Sequence, residues 1–183
     1  MKVAIVLHQD KATGLQGYPQ ELGANPPMTM DGLMKILSII PALKALGPFL
    51  AMFVSRMCRA CDAVSVLAMS FDMDFCSING LGQAGNLDSD GTVIPYPGHE
   101  SDGPAEWQRD GLDALEEIWD IMDDDRDSTV LAVSHRPIVG ALIAAATGVF
   151  DPEGINAVVQ DKSWTKNGYV VFNYDDGVLT LVD

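Results

Sequence analysis

The chain has 183 residues, 48% of them hydrophobic, which suits one domain with a sizeable core and excludes a disordered chain. Its formal net charge of −15 repels nucleic acid and anionic membrane, so neither is an expected partner. No stretch is apolar enough to span a bilayer; the nearest, residues 36–54, is broken by Pro41, Lys44, Gly47 and Pro48.

In chain order, Lys2–Leu7 reads as a buried strand whose pattern turns polar at His8-Gln9-Asp10. No basic leader precedes it, so no signal peptide is read, and three cysteines fit a reducing cytosol. Residues 14–27, rich in Gly, Pro and polar side chains, read as a long loop. Residues 30–46 carry Leu33, Ile36, Leu37, Ile40 and Leu43 at helical spacing. Thr29 or Asp31 stands near the start of that helix, and Pro41 is expected to kink or split it. A second strand follows over 50–54, and Ser55 is expected to N-cap a helix over 56–70. A short third strand is expected over 73–78, then a second long loop over 79–103. Residues 105–122 form an amphipathic helix with Trp107, Leu112, Leu115, Ile118, Trp119 and Met122 on its apolar face.

A strand over 129–133 leads into a helix over 137–147, with Pro137 in its first turn. Residues 169–174 and 178–182 read as a terminal hairpin turning at Asp175-Asp176-Gly177. This order predicts a single α/β domain over 1–183, a three-layer α/β/α sandwich with a mostly parallel sheet and an antiparallel edge. The acidic excess over 110–127 reads as a solvated face.

Two apolar runs end in a histidine, His8 and His135. Parallel strands ending this way bring two imidazoles to the sheet edge where open α/β sheets bind ligands. Histidine serves as nucleophile, acid or base near neutral pH. Phosphoryl transfer needs a neutral imidazole aimed at phosphorus, cationic or N–H donors for the non-bridging oxygens, and a proton donor for the leaving oxygen. With only eleven Lys and Arg, such a site needs its positive charge concentrated locally. Arg59 falls in the first turn of the helix after Ser55, and Ser134-His135 stands before another helix start with Arg136 alongside.

Strand–His8, Pro27-Met28-Thr29-x-x-Gly32, Ser55-x-x-x-Arg59-Ala60 and Val133-Ser134-His135 together resemble the histidine phosphatase superfamily, the phosphoglycerate-mutase-like proteins. The resemblance implies the α/β/α sandwich and a metal-independent, cofactor-free phosphatase acting on a phosphorylated small molecule or a phosphoprotein. His8 would be the nucleophile that accepts the phosphoryl group, Arg59 a phosphate clamp and His135 the second histidine that stabilises transferred charge. Gln9, Ser134, Arg136 and Glu100 are the further substrate-binding candidates.

The chain departs from the family pattern in several places. Where the family has Arg-His-Gly, this chain has Leu7-His8-Gln9, so one guanidinium is missing from the clamp. Such a loss typically costs about 2–4 kcal/mol of transition-state stabilisation. Arg136 is one candidate to return part of that charge. The family's acidic residue has no Glu counterpart here, leaving Asp72, Asp74 and Glu100 as candidates. The run from Val133 to Gly140 is similar to the phosphohistidine phosphatase branch, which also tends to lack that acid. The alternative from a different class is a weakened or inactive phosphate-binding or interaction protein of the same fold; a mutase is the third option.

Other motifs take plainer readings. Cys58-x-x-Cys61 lacks a second pair and reads as two packing cysteines. His99 in the second loop reads as exposed. The run Gly80-x-Gly82-x-x-Gly85 does not open a strand–turn–helix unit and is set aside as a dinucleotide fingerprint.

Overall fold

The computed structural model describes residues 1–7, 28–82, 85–87, 93–95, 103–161 and 163–182. The strands are β1 (Lys2–Leu7), β2 (Phe49–Val54), β3 (Cys76–Ser77), β4 (Gly85–Leu87), β5 (Val93–Pro95), β6 (Thr129–Ser134), β7 (Tyr169–Asp175) and β8 (Val178–Leu181). The helices are α1 (Met30–Ala45), α2 (Cys58–Phe71), α3 (Pro104–Ile121), α4 (Arg136–Ala146) and α5 (Pro152–Gln160). The main sheet has the order β3-β2-β6-β1-β7-β8. Its β3, β2, β6 and β1 run parallel, and β7 and β8 add the antiparallel edge.

Side chains alternate across this sheet and build two apolar layers. Val3, Ile5 and Leu7 of β1, with Val130 and Ala132 of β6, pack with Trp107, Leu115, Ile118, Ile138 and Leu142 from α3 and α4. Ala4 and Val6, with Leu131 and Val133, pack on the other side with Ile36, Leu43, Val64 and Leu67 from α1 and α2. The sandwich is therefore the α/β/α arrangement expected from the strand–helix alternation. Trp107 and Trp119 are core residues, 2% and 8% exposed.

Several local expectations change. Pro41 sits inside an unbroken α1. It removes the bond to the carbonyl of Leu37, but that stretch is on the solvent side (Leu37 is 45% exposed), where a freed carbonyl is cheap to leave without its helical donor. The third strand shrinks to Cys76–Ser77. Asp72 ends α2 in the left-handed region at φ 54°, and the Met73 amide turns back to the Ala68 carbonyl, so these residues finish the helix instead of extending the strand. Part of the second long loop is ordered: Asn79–Leu81 forms a 3-10 turn, and β4 pairs antiparallel with β5. The helix α5 was not anticipated, although its start carries the signal, since Asp151 accepts from the Gly154 amide at 2.8 Å and Pro152 opens the first turn. The terminal hairpin turns at Asp176 and Gly177, both with positive φ (44° and 80°), as a tight two-residue turn requires. The loop at 14–27 lies outside the described residues. Among the described residues, no helix is long and apolar enough to cross a membrane.

Candidate active site

The carboxyl ends of β2, β6 and β1 form the edge where the chemistry-bearing residues gather. In the β1–β6 pairing, Lys2 is level with Thr129 and Leu7 is level with Ser134. Leu7 is the residue before His8 in the chain, and Ser134 is the residue before His135. His8, Gln9, His99 and Glu100 themselves lie outside the described residues.

His135 leaves β6 in extended conformation (φ −120°, ψ 152°) and caps α4, its carbonyl accepting from the Val139 amide. Its side chain is fully buried. Beside it, β2 pairs with β6 so that Val54 is level with Val133, and the Ser55 amide donates to the Val133 carbonyl at 3.1 Å. This register carries Ser55, also fully buried, against the imidazole: Ser55 Oγ lies 2.7 Å from His135 Nε2. The expected role of Ser55 as N-cap is thereby corrected. Met57 occupies the cap position, and Ser55 Oγ only accepts the Met57 amide at 3.3 Å. The serine hydroxyl is taken up by the histidine across the sheet edge, which the spacing along the chain did not reveal.

Arg59 is the second residue of α2 and is 1% exposed. A buried guanidinium at the positive end of a helix adds one positive field to another. Positive charge of this kind favours an anion nearby. Asp62, one turn further along α2, accepts the Met28 amide at 2.8 Å. Thr29 then caps α1 by accepting from the Gly32 amide at 3.0 Å. The Met28-Thr29-x-x-Gly32 segment is thus a helix cap tied to the helix that carries Arg59.

Two expected substrate contacts are engaged in the scaffold. Ser134 Oγ donates to the Leu81 carbonyl at 2.9 Å, fastening the 3-10 turn to the end of β6. Arg136 donates from Nε to the Val159 carbonyl (2.9 Å) and from Nη2 to the Gln160 carbonyl (3.1 Å), closing the last turn of α5. Burial pulls its guanidinium below the usual arginine value. Nε and Nη2 of Arg136, the candidate to return the missing clamp charge, are thus turned to the end of α5.

The acid candidates are also corrected in part. Asp72 caps the opposite end of α2 from Arg59, about 20 Å away at 1.5 Å per helical residue. Asp74 precedes β3 and lines a groove on the sheet flank with Leu50, Met52, Phe75 and Ile121. Neither reaches the His135 edge. Position 7 is decided too: the Leu7 side chain is 4% exposed and packs into the apolar layer under α3 and α4.

Gly80, noted as part of a glycine run, has a packing reason. A Cβ there would lie 2.3 Å from the Asp110 carbonyl oxygen of α3, so only glycine lets the 3-10 turn approach that helix.

No family model matches the chain, and no curated protein matches it. Solved structures do. A phosphoserine phosphatase mutant from Entamoeba histolytica, in complex with phosphoserine, superposes with a TM-score of 0.67 at 14% identity, over 100% of this chain and 95% of that one. The chain shares its fold with that structure. A phosphoglycerate mutase from Bacillus anthracis shares that fold with a TM-score of 0.68 at 14% identity, over 100% of this chain and 92% of its own. A mycobacterial glucosyl-3-phosphoglycerate phosphatase in complex with VO3 matches at 0.62 and 13% identity, over 100% and 97%. At these identities the likeness is one of fold, and the phosphoglycerate-mutase-like sandwich is the statement it carries.

Proposed function

We propose that this chain is a phosphatase that hydrolyses phosphomonoesters or phosphohistidine through a covalent phosphohistidine on His8. The observation that carries the reading is the β1–β6 register: Leu7 and Ser134 are partners, and each is followed by a histidine. The buried Arg59 beside that edge supports an anion as the ligand. The solved structures of like fold, with phosphoserine in one and VO3 in another, support a phosphorylated small molecule as substrate.

In this reading residues 1–183 form one cytoplasmic domain that uses neither metal nor cofactor. The neutral imidazole of His8 attacks phosphorus, a P–N bond forms and the P–O bond to the leaving group breaks. Arg59 holds the non-bridging oxygens, and His135 donates a hydrogen bond to the charge that builds on them. Glu100 is the remaining candidate to protonate the leaving oxygen, and Gln9 the remaining polar neighbour of the nucleophile. Water then attacks the phosphohistidine, the P–N bond breaks and inorganic phosphate leaves.

Incubation with a radiolabelled phosphoester and rapid quenching should trap phosphate on the protein that is stable to alkali and labile to acid. His8→Ala should abolish both that label and turnover of p-nitrophenyl phosphate. A label that survives His8→Ala would remove the nucleophile from this scheme. A second reading is favoured by the packed Leu7 side chain: a fold-retaining protein that binds phosphate with little or no turnover. Vanadate binding at Arg59 without any trapped label would decide for it.

A further inference from the structure

We propose that Ser55 is a positioning residue that holds His135 as the neutral tautomer with its proton on Nδ1. The argument is a proton count at a fully buried hydroxyl. Serine Oγ has one proton to give and two lone pairs to receive with. Among the described residues, two polar groups reach Ser55 Oγ: the Met57 amide at 3.3 Å and His135 Nε2 at 2.7 Å. The amide can only donate, so it occupies a lone pair. Among the described residues the hydroxyl proton then has one acceptor within reach, Nε2, and Nε2 accepts only when it carries no proton.

The reverse arrangement fails on the same count. If Nε2–H donated to Ser55, the oxygen would receive two N–H groups while its own proton, in a fully buried site, met no acceptor among the described residues. Stranding a buried donor disfavours that arrangement on the order of ten- to a hundredfold. The imidazolium carries a proton on Nε2 as well and meets the same penalty. His135 is therefore held neutral, with Nδ1–H as its remaining donor.

The backbone makes this serine rigid. Its amide is bonded to Val133 in the neighbouring strand, and its carbonyl accepts from Cys61 Sγ at 3.7 Å, one turn into α2. Ser55 thus has its main chain tied to β6 and α2 and its hydroxyl aimed at His135. Resting on the phosphatase reading, the consequence is that His135 serves the phosphoryl oxygens as an uncharged, pre-aimed N–H donor. The fixed positive charge at the site is then left to Arg59.

The test is a long-range ¹H–¹⁵N spectrum of the full chain labelled with ring-¹⁵N histidine, without substrate. The sequence holds three histidines, and His8→Ala and His99→Ala identify the other two. The wild type should show His135 with a pyridine-type Nε2 and a pyrrole-type Nδ1. Ser55→Ala should lose that pattern, and Ser55→Thr, which keeps a hydroxyl, should restore it. A pyrrole-type Nε2 in the wild type, or an unchanged pattern in Ser55→Ala, overturns the proposal. Should Ser55→Ala not fold, the wild-type spectrum decides the tautomer, and Ser55→Cys, a weaker donor, decides the role of the hydroxyl. Because no turnover enters the spectrum, absence of the phospho-His8 label would sink the phosphatase reading and leave the tautomer standing. If the enzyme turns over, Ser55→Ala should lower kcat roughly ten- to a hundredfold with little change in KM, and Ser55→Thr should recover it.

Discussion

Single residues at the sheet edge divide between chemistry and scaffold, and burial with hydrogen bonding decides which is which. Arg59 and His135 are charged or polar groups with almost no exposure, at the carboxyl edge of the sheet. Such burial is costly unless the groups are satisfied by one another or by a ligand. Leu7 makes the contrast. Its side chain is part of the apolar layer, so replacing it with arginine does not simply restore a clamp. Leu7→Arg should lower the unfolding free energy by about 3–5 kcal/mol, the range for an uncompensated buried charge, with no gain in turnover. Urea denaturation with a parallel p-nitrophenyl phosphate assay checks this; unchanged stability with a gain in rate would mean that the guanidinium escapes the core and reaches the anion site.

At the scale of elements, the site edge is assembled by a few side chains that tie one element to the next. Asp62 holds the start of α1 to α2, Ser134 holds the 3-10 turn to β6, and Arg136 holds the end of α5 to the start of α4. Gln108 of α3 does the same, donating to the Ala141 and Val149 carbonyls. Arg136→Ala should cost about 1–3 kcal/mol, the worth of its charge-assisted bonds, and leave kcat/KM within a few-fold of the wild type. Thermal unfolding and steady-state kinetics on the same preparation separate the two effects. A collapse of kcat/KM at unchanged stability would return Arg136 to the substrate.

For the whole molecule, the net charge of −15 acts on stability through groups that must stay neutral. Tyr174 is the clearest. Burial, then the nearby carboxylates of Glu116, Asp120 and Asp176, push its hydroxyl above the ordinary tyrosine value. The ring also packs edge-on against Trp119, with centroids 5.7 Å apart. A raised value in the folded state means that the unfolded chain ionises first. The contribution is intact below about pH 10, the unfolded value, and is lost as pH rises through the higher folded one. Tyr174→Phe keeps the ring and should flatten the fall of the urea midpoint with pH above about 10. An equally steep fall in that variant would assign it to other groups.

Periodicity and punctuation in the chain were enough for the sandwich, the hairpin at Asp176-Gly177 and the placing of His135 after a strand, because period-2 and period-3.6 burial, turn chemistry and caps are local. The strands also carried their own ends: His135 follows the last residue of β6, as the break in the apolar run implied. What depends on register was not legible. The Ser55–His135 bond follows from Val54 lying level with Val133, and the capture of Arg136 follows from α5 ending beside α4. The removal of Asp72 from the site follows from the length of α2. Partners far apart in the chain are chosen by packing of the whole sheet, where a shift of one residue would turn each side chain to the other face. Residue types and their local order therefore came from the sequence alone, and only the tertiary structure decided which of those residues meet.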